Sequence, residues 1–266
     1  MSLPNPSEQS TALVTGASSG IGAEIARRLA ARGHHLTLVA RRVERLEELA
    51  GELGSDVAVD ACDLGDAEAR QGLVARLSRR RRKVSVLVNS AGFGTYGRLW
   101  ELPAGRERDE VDLNVAALHD LTVAFLPGMV EGRSGAILNV SSTAGFQPLP
   151  SNATYAATKA FVTAFSESLH GELAGTGVTC TVLCPGPVAT EFQDAAGISH
   201  LHSAGPSFLW ASAGEVATAA VEGMERGKRV VVPRATDKVQ AAFGRYSPRS
   251  VLLPVMRGLG GRLFSD

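Results

Sequence analysis

Lysine is scarce in this 266-residue chain. Only Lys83, Lys159, Lys228 and Lys238 of its 27 basic residues are lysines, a pattern we read as coding bias. Neither charge sign is in excess, because 27 acidic residues bring the formal net charge to zero. No global field exists to hold nucleic acid or an anionic membrane. The densest basic run, Arg79 to Lys83, is local and reads as a solvated helix end. Cysteine is nearly absent. Cys62, Cys180 and Cys184 are an odd number with no CxxC, which argues against a disulfide framework or a zinc site. Cys180 and Cys184 lie four apart in an apolar run, so they are expected on one strand face as buried, inert thiols. No run of ~18 apolar residues is present. Residues 1–11 lack both the basic start and the apolar core of a leader. These absences predict a soluble, cytoplasmic protein.

What the chain has is glycine, 29 residues of it, and 44% hydrophobic residues against 20% charged. That balance excludes a mostly disordered chain, and the length suffices for a core without staples. Few aromatics (5%) and many small residues suit helices packed closely on a sheet. Strands are predicted at 12–15, 36–40, 57–60, 84–88, 136–140, 178–183 and 229–232. Helical patterns separate them, among them 20–31, 43–52 and 67–80. Strands apolar throughout are buried on both faces, so a parallel sheet covered on both sides follows. Right-handed crossovers make it a doubly wound, Rossmann-like α/β fold in one domain. The expected division is a flexible tail at 1–10, a body at 11–232 and a C-terminal extension at 233–266.

Between the first strand and the first helix lies Gly16-Ala17-Ser18-Ser19-Gly20-Ile21-Gly22. A glycine-rich turn there lets backbone approach a pyrophosphate, while the helix start offers N–H groups and a positive dipole end. The spacing G-x-x-x-G-x-G differs from the common G-x-G-x-x-G fingerprint, and any tight turn needs glycine, so the turn alone is modest evidence. The second strand ends in Ala40-Arg41-Arg42, where an NAD site usually presents an acid. A guanidinium binds a 2′-phosphate that a carboxylate repels. Arg41 and Arg42 therefore point to NADP(H) over NAD(H).

Tyr155 and Lys159 stand four apart, which puts them side by side on a helix. A free Tyr, with a pKa of about 10, is a poor base at neutral pH. A neighbouring ammonium favours the phenolate and is expected to pull that value down, as acid–base catalysis needs. Ser142 ends the strand leading into this helix, and its hydroxyl can hydrogen-bond a substrate oxygen. Taken with Gly16-x-x-x-Gly20-x-Gly22, Asn89-Ser90-Ala91-Gly92, Asn114 and Pro185-Gly186 in this order, the set resembles the short-chain dehydrogenase/reductase family. The resemblance runs over residues 11–232.

It implies a scheme. Tyr155 protonates the carbonyl oxygen during reduction, and Ser142 rather than Ser141 matches the family's catalytic serine. Lys159 also holds the nicotinamide ribose, and Asn114 positions Lys159 through a water in a proton relay. Gly16, Ser18, Ser19, Gly20, Ile21 and Gly22 form the phosphate turn. Asp63 and Leu64 receive the adenine, while Asn89, Ala91 and Gly92 line the cofactor. Val188 and Thr190, after Pro185 and Gly186, anchor the nicotinamide carboxamide. A homodimer or homotetramer through the Asn114 and Tyr155 helices is implied as well. One departure is Ser90, where the family often has a second Asn.

Specificity in such folds comes from loops at the carboxyl ends of the strands. Phe93, Tyr96, Phe146, Leu149, Phe192, Phe208, Leu209 and Trp210 fall in or near them. The stretch 191–212, with Gly197, Gly205 and Pro206, reads as an apolar lid. The expected substrate is a hydrophobic carbonyl or alcohol. His200 and His202, two apart and alone, read as lid histidines, and no metal is expected. Pro248 and Pro254 are expected to break any long helix in 233–266. For that extension three readings stand open: packing on the body or a partner subunit, completing the pocket, or touching a membrane surface. The leading function is an NADP(H)-dependent oxidoreductase on a carbonyl/alcohol pair. The rivals are a catalytically silent nucleotide-binding sensor or assembly protein, and a nucleotide-sugar epimerase, disfavoured because no substrate domain follows the sheet.

Overall fold

Neighbouring residues of a strand face opposite ways, and in this chain that alternation divides the core into two layers. The computed structural model describes residues 3–54, 56–192 and 210–263, with side chains as far as residue 258. In chain order the strands are β1 (Ser10–Thr15), β2 (Leu36–Ala40), β3 (Val57–Ala61), β4 (Lys83–Asn89), β5 (Gly135–Val140), β6 (Val178–Leu183), β7 (Val188–Ala189), β8 (Ala211–Ser212) and β9 (Val230–Val231). Seven form one sheet in the order β3-β2-β1-β4-β5-β6-β9, and every pairing is parallel. β7 and β8 pair separately.

The helices are α1 (Gly20–Ala30), α2 (Val43–Leu53), α3 (Ala67–Ser78), α4 (Ala104–Val111), α5 (Leu118–Glu131), α6 (Ala153–Glu172), α7 (Ala213–Glu225), α8 (Ala235–Tyr246) and α9 (Arg249–Leu263). Val14, Leu38, Val88 and Leu138 pack with Ile25 and Leu29 of α1 and Val216 and Val221 of α7. Leu13, Val39, Leu87 and Ile137 face the other way, onto Leu73 of α3, Leu121 and Met129 of α5 and Leu169 of α6. β1 has β2 on one side and β4 on the other, so the winding reverses between β1 and β4. Ligands of open parallel sheets sit in the crevice at that switch, beyond the carboxyl ends.

The predicted strands and helices are present, with ends shifted by one or two residues. β3 departs from the rule of full burial. It is an edge strand with Ala58 and Ala61 exposed, and its buried Asp60 pairs with Arg76 (2.6 Å) and Arg80 (2.7 Å). The basic run is thus more than a solvated helix end, since Arg80 neutralises a buried carboxylate and Arg82 pairs with Glu8 and Asp56. All three cysteines are buried. Burial pushes the Cys180 and Cys184 thiols up to about 12. Cys180 packs in the layer under α6 with Leu169, and Cys184, one residue past the end of β6, joins Val182 and Val162 in a third cluster.

A turn of π-helix, Asp112–Ala117, joins α4 to α5 in one continuous helix. Among the described residues this is the one helix long and apolar enough to span a membrane by length and composition. Here it packs on the sheet through Leu121 and Met129. In the C-terminal segment, Pro248 ends one helix as expected, but Pro254 lies inside α9. Pro254 and Ser250, whose carbonyl loses its partner, are both exposed, so water can satisfy that group. Ala241 of α8 joins Phe146, Val162 and Val182 in a third cluster, and Leu252 of α9 is fully buried.

Leu252→Ala is expected to lower stability in urea unfolding by about 2 kcal/mol or more. Protease should then cut between α8 and α9 before the sheet opens. A variant as stable and as resistant as the parent would show that this contact does not hold α9.

Candidate functional site

A groove of about 1560 Å³ runs along the carboxyl edge of the sheet, across the switch between β1 and β4. Its floor is the turn between β1 and α1. Gly16 has φ +64°, and a Cβ there would lie 2.9 Å from the backbone of Ala91. A Cβ on Gly22 would strike the Gly16 carbonyl. Thr15 locks the two loops together: its hydroxyl donates to the Val88 carbonyl (3.2 Å) and accepts from Ser90 N (3.0 Å) and Ala91 N (3.1 Å). Backbone approach and a helix start, the two requirements of a pyrophosphate cradle, are therefore both met. Gly16, Ser18, Ser19, Gly20, Ile21 and Gly22 all line the groove.

Arg41 and Arg42 line the same end, with Asp63 and Leu64 beside them. The Arg42 guanidinium donates to the Ser18 hydroxyl (3.1 Å) and the Ser19 hydroxyl (3.0 Å), and pairs with Glu191 at 2.8 Å. That guanidinium holds the Glu191 carboxyl below its usual value. Arg41 is 73% exposed and 3.9 Å from Asp63, so it is open to a ligand anion. A cationic seat next to the phosphate turn fits a dinucleotide with an additional phosphate on its adenosine side.

At the other end, Ser142, Tyr155 and Lys159 reach the groove. Ser142 caps a 3-10 turn, Thr143–Phe146, by accepting from Ala144 N at 3.1 Å. Ser141 points away and bonds the Lys159 carbonyl (2.8 Å) and Thr163, so Ser142 is the serine at the site. Lys159 Nζ lies 5.6 Å from the centre of the Tyr155 ring and donates to the Val140 carbonyl at 3.0 Å. Burial lowers Lys159 to about 8. Burial raises the Tyr155 phenol, with the Ser142 hydrogen bond opposing and the Glu110 and Tyr96 charges adding. The expected lowering of Tyr155 by Lys159 is not met, because desolvation of the phenolate sets the direction.

Asn114 sits in the π-turn, where both ends of its amide are engaged. Its oxygen accepts from Phe93 N (3.1 Å), and its nitrogen donates to the Phe93 carbonyl (2.8 Å) and Thr158 (3.2 Å). Ala91, Gly92, Pro185, Gly186, Val188 and Thr190 line the groove as expected. Asn89 does not: it lies behind the wall, 4% exposed, bonded to Thr122 and Asn139. Phe146 is also a core residue rather than a pocket one. Phe93, Tyr96, Leu149, Phe192 and Trp210 do line the groove. Phe192 covers the Tyr155 ring with centroids 5.5 Å apart. The expected lid residues Gly197, His200, His202, Gly205, Pro206, Phe208 and Leu209 lie outside the described residues. Sequence reasoning missed Arg106, Gln147, Gln240 and Met256 of the lining, which no local motif marks.

A family model described as short chain dehydrogenase matches residues 10–199. The NADP-dependent 3-hydroxy acid dehydrogenase of Salmonella typhi is 42% identical over 187 residues, 68% of this chain and 74% of its own. Sulfoacetaldehyde reductase 2 of Chromohalobacter salexigens is 40% identical over 184 residues, 68% of this chain and 73% of its own. A short-chain dehydrogenase from Sphingobium yanoikuyae, solved in complex with NADPH, superimposes with a TM-score of 0.79 at 35% identity over 94% of each chain. With a family match over well over half its length and the groove those motifs build, the chain belongs to the short-chain dehydrogenase/reductase family.

Proposed function

We propose that the protein is an NADP(H)-dependent oxidoreductase that interconverts a carbonyl and an alcohol, with Tyr155 as the acid–base group. The observation carrying this reading is the convergence of Ser142, Tyr155 and Lys159 in one groove with the glycine cradle and the Arg41–Arg42 pair. NADPH, when bound, supplies the hydride to the carbonyl carbon. Arg41 and Arg42 take its 2′-phosphate, the turn from Gly16 to Gly22 its pyrophosphate, and Asp63 and Leu64 its adenine. Lys159 holds the nicotinamide ribose, while Val188 and Thr190 hold the carboxamide. Ser142 donates a hydrogen bond to the substrate oxygen. Tyr155, kept protonated by burial, gives that oxygen its proton. Burial thus suits Tyr155 to the acid role of reduction, and the reverse reaction needs higher pH to make it a base.

For the substrate, Phe93, Tyr96, Leu149, Phe192, Trp210 and Met256 support a hydrophobic carbonyl or alcohol. A second reading is a small hydroxy acid or other anionic carbonyl, as the names of the two enzyme relatives describe for those proteins. It is favoured by Arg106, which lines the groove with its guanidinium 4.4 Å over the Phe93 ring. Asp109 lines the same groove with a charge of opposite sign.

Tyr155→Phe is expected to cut NADPH consumption by about 100-fold or more while NADPH still binds, read by cofactor fluorescence. Parental rates in that variant would sink the mechanism, and a silent nucleotide sensor would show no turnover in either protein. Arg41→Ala with Arg42→Ala should lower the ratio of NADPH to NADH efficiency by roughly one to two decades per lost contact. An unchanged ratio would remove both from the phosphate seat. A panel of neutral ketones, aldehydes, steroids and 3-oxo acids decides the substrate class. Arg106→Met should raise KM for acids alone if the second reading holds, and leave every KM unchanged if it does not.

A further inference from the structure

Glu110 is a fully buried carboxylate on a helix whose surface is otherwise wet. It stands one helical turn before Asn114, on the same continuous helix. One of its oxygens accepts from both Thr95 N (3.0 Å) and the Thr95 hydroxyl (2.8 Å). The other is buried with no hydrogen-bond partner among the described residues. The loop it grips, Phe93 to Tyr96, also supplies both backbone partners of Asn114 and packs Gly94 on the Tyr155 ring. Asn152, just ahead of α6, donates to the Thr95 carbonyl from the far side. One carboxylate therefore sits at the junction of the Asn114 helix, the loop and the Tyr155 helix.

We propose that Glu110 is a positioning residue of the proton-transfer site, clamping the Phe93–Tyr96 loop and setting the charge that Lys159 and Tyr155 face. This rests on the reading of Tyr155 and Lys159 given above. The groups around it come from three elements. On its own helix, Glu107 repels a second negative charge and has a buried, unpartnered oxygen too. From α6 face Lys159 and Tyr155, and from the loop Thr95, while Tyr96 acts on Tyr155. Burial and Glu107 push Glu110 up to about 7, against the Thr95 hydrogen bonds and Lys159. Below that pH the carboxyl is neutral. Above it the anion favours the Lys159 ammonium and opposes a Tyr155 phenolate. Alcohol oxidation, which needs Tyr155 to accept a proton, is therefore delayed to higher pH.

The scarcity of lysine makes the test direct. Selective isotope labelling of lysine in the full chain gives signals from only Lys83, Lys159, Lys228 and Lys238, and Lys159→Arg identifies the one at the site. The Lys159 signal should titrate near about 8. Glu110→Gln keeps an acceptor for both Thr95 donors but removes the charge, so the Lys159 midpoint should fall by roughly one pH unit. Thr95→Val, which weakens the hold on the Glu110 anion, should move it the same way and serves if Glu110→Gln does not fold. In turnover, Glu110→Gln should move the rising limb of alcohol oxidation to lower pH, whereas a merely structural role would depress the rate equally at every pH. An unmoved Lys159 midpoint in the folded variant, or a uniform loss of rate, overturns the proposal. Should no carbonyl in the panel be reduced and no corresponding alcohol be oxidised, the enzyme reading fails by itself, and the Lys159 titration still decides the role of Glu110.

Discussion

The groove depends on two loops meeting with no room between them. Gly16 and the Ser90–Ala91 backbone approach so closely that a single methyl group at residue 16 would not fit. The Thr15 hydroxyl spends its one donor and two acceptor sites on holding that contact. Everything downstream inherits this registration. It sets where α1 begins, hence where its free N–H groups point, and it fixes the β4 loop that leads on to Phe93 and so to Asn114.

Farther along the groove, desolvation is the dominant force. It holds the Tyr155 phenol protonated, weakens the Lys159 ammonium and keeps a proton on Glu110 to about pH 7. Each group is driven towards its neutral form, and the hydrogen bonds from Ser142 and Thr95 pull only partly the other way. At the Arg41–Arg42 end the balance is different. Arg41 and Arg42 are largely exposed and keep their charge in reach of water. A single groove thus has a wet cationic end and a dry end lined by Ser142, Tyr155 and Lys159.

The sheet was legible because its inner strands are short apolar runs, buried on both faces. β3 escaped that rule because an edge strand has one open side, where Ala58 and Ala61 meet solvent. Tyr155 and Lys159 were legible because four residues is a local helical spacing. The π-turn under Asn114 left no mark on the sequence, since one wider turn barely alters an apolar pattern. Asn89 and Phe146 were misplaced for a common reason: a loop position shows proximity to the groove but not which way the side chain turns. Arg106 of the groove lining and the buried Glu110 lie on a helix whose composition looks like plain surface, and only tertiary packing marks them out. Pro254 was read as a breaker because a local rule assumes a buried carbonyl, and this one is open to water.

The Thr15–Val88 hydrogen bond joins residues 73 apart in the chain. Neither loop of the cradle has its final shape before β4 docks on β1, across the whole β2–α3 excursion. Contacts this distant in sequence close late and slowly. The glycine turn is therefore completed only once β1 and β4 have docked. The floor of the groove comes from the first 92 residues, and Lys159, Val188 and Thr190 close the groove from later in the chain. A nucleotide bound in that cradle would favour the docked arrangement of β1 and β4 over any in which they have parted.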